Sequence, residues 1–176
     1  MKKVVLLTIF AALMMISSAA VAQTATGTLT VTATVQGSIG LVFNSDAAGV
    51  ALASGAGTNT ATLAFGNVSA FGAVAAGIVR TTTATTFTVS SAVDVLVSKT
   101  NSASANYKLT AQLGAADAVN TWQVGGVTVT NAAAATIAAT GTYAANANFP
   151  VAITVPFTTA SGTLISNTIN YTATAN

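Results

Sequence analysis

The chain has 176 residues, of which 52% are hydrophobic and only 5% charged, with no histidine and no cysteine. An ordinary soluble domain is about 25% charged, so this surface lacks the usual means of keeping copies apart. Without histidine, cysteine or glutamate, Ser-His-Asp and Cys-His nucleophile systems, the common zinc ligand sets and disulfide stapling are all excluded.

Residues 1–22 read as a secretory leader. Lys2 and Lys3 form the basic start, residues 4–16 are apolar except for Thr8, and Ala20-Val21-Ala22 is an A-x-A cleavage site before Gln23. The apolar run is too short for a comfortable membrane helix. The net charge of +2 belongs to Lys2 and Lys3. Beyond the leader, Arg80, Lys99 and Lys108 balance Asp46, Asp94 and Asp117, which leaves no basic patch for nucleic acid. No later apolar stretch is long enough to predict a membrane helix. These features predict a secreted, cell-surface chain.

Period-two alternation dominates the chain after the leader. In residues 28–35, Leu29, Val31, Ala33 and Val35 share one side and four threonines the other. Further strands are predicted at 38–44, 61–65, 85–89, 93–99, 107–113, 121–124, 127–130, 151–157 and 168–174. The breaks between them are rich in Gly, Asn, Ser or Asp. Gly125-Gly126 reads as a two-residue hairpin turn. The alanine run 132–135 reads as loop or weak strand. Nine or ten short strands in one domain predict an all-β sandwich.

Chemistry-bearing residues are few. The three aspartates are far apart in sequence and match no calcium loop. Two of them meeting as paired carboxylates for glycoside hydrolysis is a weaker reading than isolated turn and surface residues. Asp46, after Asn44-Ser45, reads as a turn residue, and Asp94, between Val93 and Val95, as outward-facing. Trp122 reads as a core residue beside the hairpin rather than a sugar platform. No catalytic, cofactor-binding or metal-ligating residue is predicted, no cofactor is implied, and the chain is not expected to be an enzyme.

Residues 23–35 form an uncharged alternating segment directly after the cleavage site. The plain reading is a first strand paired within its own domain. The sharper reading is a donor strand that completes the sheet of a neighbouring copy, with Leu29, Val31, Ala33 and Val35 as plugs. Head-to-tail donation does not close on itself and so builds a filament. The sequence Leu-Thr-Val-Thr-Ala-Thr-Val at 29–35, followed by Ile39-Gly-Leu41, resembles the N-terminus of alpha-class chaperone–usher fimbrial major subunits. The closing segment 167–176 is similar to their final strand. A fainter likeness is to spore coat protein U-like secreted domains, which carry an early cysteine that this chain lacks. The resemblance implies an immunoglobulin-like β-sandwich (residues 36–176) completed by a donated strand (residues 23–35). It also implies copies of the chain, a periplasmic chaperone and an outer-membrane usher as partners. The alternatives are a self-complete secreted β-sandwich that binds a partner at the cell surface and a small outer-membrane barrel. Few aromatics and short strands count against the barrel.

Overall fold

The computed structural model describes residues 26–176. The predicted leader 1–22 and the first residues of the predicted donor strand, 23–25, lie outside them. The chain divides into two units, Met1–Thr34 and Val35–Asn176. In the first, residues 26–34 are exposed and belong to no strand. The second unit is all-β, with nine strands: β1 Ser38–Ser45, β2 Val79–Thr82, β3 Thr86–Thr100, β4 Tyr107–Leu113, β5 Thr121–Val124, β6 Val127–Val129, β7 Ala135–Gly141, β8 Asn146–Pro156 and β9 Ile169–Ala175.

They form two antiparallel sheets packed as a sandwich. The larger sheet has the order β1-β3-β8-β5-β6, with β2 also pairing β3; the smaller has the order β7-β4-β9. Strand β3 is the spine. The two predicted strands 85–89 and 93–99 are one continuous element, because Ser90, Ser91 and Ala92 keep the alternation in phase between them. Its inward side chains Phe87, Val89, Val93, Val95 and Val97 are buried, and so are Tyr107, Leu109, Ala111 and Leu113 on β4 of the facing sheet. Outward positions of β3 are polar except for Ala92 and Leu96, and Thr88 meets Thr154 of β8 through their hydroxyls at 2.7 Å. Burying each large apolar side chain contributes about 1.5–3 kcal/mol, and the sandwich has no disulfide to supplement this.

The Gly125-Gly126 hairpin holds as predicted. Both glycines have positive φ, 58° and 78°, which the two-residue turn between β5 and β6 requires. Strand β8 begins at Asn146, earlier than the sequence predicts, and runs through Pro150 in the sheet interior. Phe157 donates its N–H to Thr85 on the β3 side. By strand parity the even residues of β8 therefore face β5. The missing N–H of Pro150 falls where β5 has already turned into its hairpin, so no ladder bond is lost. The sequence reading passes over β2 and β7. Residues 61–65, predicted as a strand, form a loop with one bridge, Ser54 to Thr62. The predicted strand over 28–35 has no strand partner among the described residues.

Candidate functional site: an open seam between the first and last strands

The chain enters the sandwich at Ser38, beside Thr100 of β3. This end, called proximal, also carries Asn106 and Asn176, which are joined by a backbone hydrogen bond of 2.9 Å. The opposite, distal end carries the β2–β3, β4–β5 and β8–β9 loops. Along its length the sandwich has two seams where an edge of one sheet meets an edge of the other. On the β6 side, Leu113 donates its N–H to Thr130 O at 3.0 Å, and the Gln112 amide donates to Asn131 O at 2.9 Å, so that seam is tied.

Among the described residues the seam between β1 and β9 is open: β1 pairs only β3 along its ladder, and β9 pairs only β4. The Phe43 N–H donates to Thr58 O at 2.8 Å and the Gly57 N–H donates to Phe43 O at 2.7 Å, on the side of β1 away from β3. Strand parity then turns the N–H and C=O of Ile39 and Leu41 to that same outer side. On β9 the Thr168 carbonyl accepts from Gly114 and the Asn176 N–H donates to Asn106, both toward β4. The odd residues Ile169, Tyr171 and Ala173 therefore turn their backbone groups away from β4. Among the described residues these outward groups have no backbone partner. Two strand edges face one gap, each with unused donors and acceptors.

Between these edges lies a cleft of ≈ 610 Å³, lined by Ile39, Leu41, Phe43, Thr58, Ile169 and Tyr171 among others, none of them charged at neutral pH. Phe43 and Tyr171 meet edge-to-face at its floor, with ring centroids 5.1 Å apart. Burial pushes the Tyr171 phenol well above its ordinary value, so it stays neutral. The 57–58 loop closes the cleft at Phe43 on the β1 side. A neutral cleft flanked by unused backbone groups suits an extended peptide, whose main chain can pair with both edges.

Comparison with protein-family models, curated proteins and solved structures finds no match to this chain.

The predicted plugs Leu29, Val31 and Val35 are 88%, 80% and 76% exposed, and Ala33 is exposed as well. Sequence reasoning does not locate the cleft, because a groove between the first and last strands is a property of topology. The aspartates separate into two settings. Asp46 closes a turn by accepting from the Ala48 N–H at 2.8 Å, as predicted. Asp94 lies on the outward face of β3, also as predicted, and Asp46 and Asp94 accept from the same Asn148 amide, at 2.8 and 3.0 Å. Asp117 stands apart at the distal end, accepting from the N–H groups of Val119 and Asn120 and from the buried Trp122 indole at 2.7 Å. Partial desolvation pushes the Asp117 carboxyl up. The bonds from Asn120, Trp122 and Val119 outweigh it and lower the group from 3.8 to about 2.

Proposed function

We propose that this chain is the structural subunit of an extracellular pilus or surface filament, and that the 23–35 segment of one copy fills the β1–β9 cleft of the next. The observation that carries this reading is the pairing of an unpaired, alternating, uncharged segment with an open seam of matching character in the same chain. Immunoglobulin constant-type sandwiches order their strands A-B-E-D against C-F-G. Here β1-β3-β8-β5 corresponds to A-B-E-D and β4-β9 to C-F, so the free edge of β9 is where G would lie. Strand β7 lies on the other edge of β4, although it follows the β5–β6 hairpin in sequence.

Length supports the same reading. From Leu29 to Val35 is six residue steps, about 20 Å at strand rise, and Ile169 to Ala175 is the same. Direction follows from the two ends. In a head-to-tail chain the donor body sits at the distal end of the acceptor, so Val35 enters there and the strand runs toward β9's start, antiparallel to β9. Each of Leu29, Val31 and Val35 contributes about 1.5–3 kcal/mol when buried. Filling the seam also removes two exposed sheet edges, which otherwise invite unspecific aggregation.

Parity makes the test. Val31→Asp places a carboxylate among the plugs and abolishes polymerisation while export continues. Thr30→Asp, one residue away on the opposite face, leaves polymerisation intact. Polymers from Val31→Asp indistinguishable from those of the unaltered chain would overturn the reading.

A further inference from the structure

Among residues 36–176, the exposed large hydrophobics are Phe71, Val74, Val79, Val119, Phe157 and Leu164. Val119 and Leu164 belong to the β4–β5 and β8–β9 loops, Phe157 follows the distal end of β8, and Phe71 packs on Phe157 with centroids 5.9 Å apart. Four of the six therefore crown the distal end, and none lies at the proximal end. Their presentation is built. The Arg80 guanidinium donates to Ser69 O at 2.9 Å and Gly72 O at 2.6 Å, gripping the loop on both sides of Phe71. Phe157 is in turn stacked on core Phe87, with centroids 6.4 Å apart. Yet Phe71 is 71% and Leu164 88% exposed. A rigidly held aromatic with an open face resembles the anchors of protein interfaces, where little side-chain freedom remains to be lost.

The two ends also differ in charge. Lys99 and Lys108, the only lysines among the described residues, are both proximal, paired in register with Ile39 and Thr174. The Lys99 ammonium lies 5.0 Å over the Tyr143 ring. The distal end carries Asp117, between β4 and β5, and also the Arg80 guanidinium beside Phe71, so its formal charges balance. Two proximal ends, each with two lysines, repel one another, whereas a balanced distal end meets no such repulsion there.

We propose that the distal crown of Phe71, Val119, Phe157 and Leu164 docks on the proximal end of a second copy, around Lys99, Lys108 and Tyr143. This is a contact between bodies, additional to the strand in the cleft, and it rests on the filament reading. It turns a string of flexibly linked bodies into a stiff fibre. The contact is heterologous and repeats without closing.

The absence of native cysteine makes cross-linking clean. In full-length chains assembled as usual, Leu164→Cys with Lys108→Cys, and separately Val119→Cys with Asn101→Cys, are treated with a flexible bismaleimide and boiled in SDS. A covalent ladder from the double variants, with monomer from each single variant, is the expected result. Polymer that persists unboiled but yields no ladder from either pair would overturn the contact and leave the strand linkage standing. Dimers from Leu164→Cys alone would also overturn it, because distal ends would then meet each other. If the unaltered chain forms no polymer, the filament reading itself fails and the contact fails with it. In electron micrographs, Phe71→Ser filaments form as usual with a persistence length several-fold shorter; unchanged stiffness counts against the proposal.

Discussion

Asp117 shows how one carboxylate organises a loop in a chain with few charges. It takes the N–H groups of Val119 and Asn120 and the Trp122 indole, and the last is the partner whose loss matters most. Asp117→Ala leaves that buried donor unsatisfied and costs about 1–3 kcal/mol, read by urea unfolding. The folded carboxyl is held near 2, below its unfolded value of 3.8. Its contribution to stability is therefore fully present above about pH 4 and is lost as pH falls toward 2. Asp117→Asn removes this charge, so the decline in unfolding free energy between pH 4 and 2 becomes shallower than in the unaltered protein. Leu109, fully buried between the sheets, sets the scale for the core. Leu109→Ala costs about 2–5 kcal/mol, measured by the same unfolding curves. Gly141 is fixed for a different reason: the Tyr107 ring occupies the space of any Cβ there, so Gly141→Ala displaces β7 from β4.

At the scale of elements, the parity of the edge strands gives a sharp expectation. Ala173 turns its N–H into the seam, whereas Thr172 turns its N–H toward β4. Proline at an outward edge position removes no ladder bond. Ala173→Pro therefore folds with a melting temperature close to that of the unaltered chain but does not polymerise. Thr172→Pro breaks the β4–β9 ladder and lowers the melting temperature in thermal scans.

The elements also show what the sequence discloses and what it withholds. Strands β1, β4, β5, β6 and β9 are legible because large apolar residues recur at alternate positions along them. Strand β7, Ala-Thr-Ile-Ala-Ala-Thr-Gly, is hidden because alanine marks neither face and its register with β4 shifts twice. The start of β8 is masked by Pro150, whose tolerance depends on where β5 turns. The plugs at 29–35 are visible as alternation. The cleft they are proposed to fill arises only when the first and last strands of the chain come to adjacent edges, and local pattern does not encode that adjacency.

At the scale of the whole molecule, low charge, an open seam and an unpaired apolar segment are each a liability in an isolated body and become consistent in an assembly. Backbone pairing along two edges, with no disulfide to reduce, predicts that assembled material resists SDS until boiled and is indifferent to reductant. Histidine is absent, so assembly is flat between pH 6 and 7. Sedimentation across that range checks it.

Occupation of the cleft between β1 and β9 by the 23–35 segment of another copy is directly visible in a helical reconstruction of the polymer by electron cryomicroscopy. The expected density is an added strand in the seam, antiparallel to β9, with Leu29, Val31, Ala33 and Val35 pointing inward and the chain continuing into the neighbouring body. An empty seam, or one filled by the same body's own segment folded back along β1 and running parallel to β9, would contradict it.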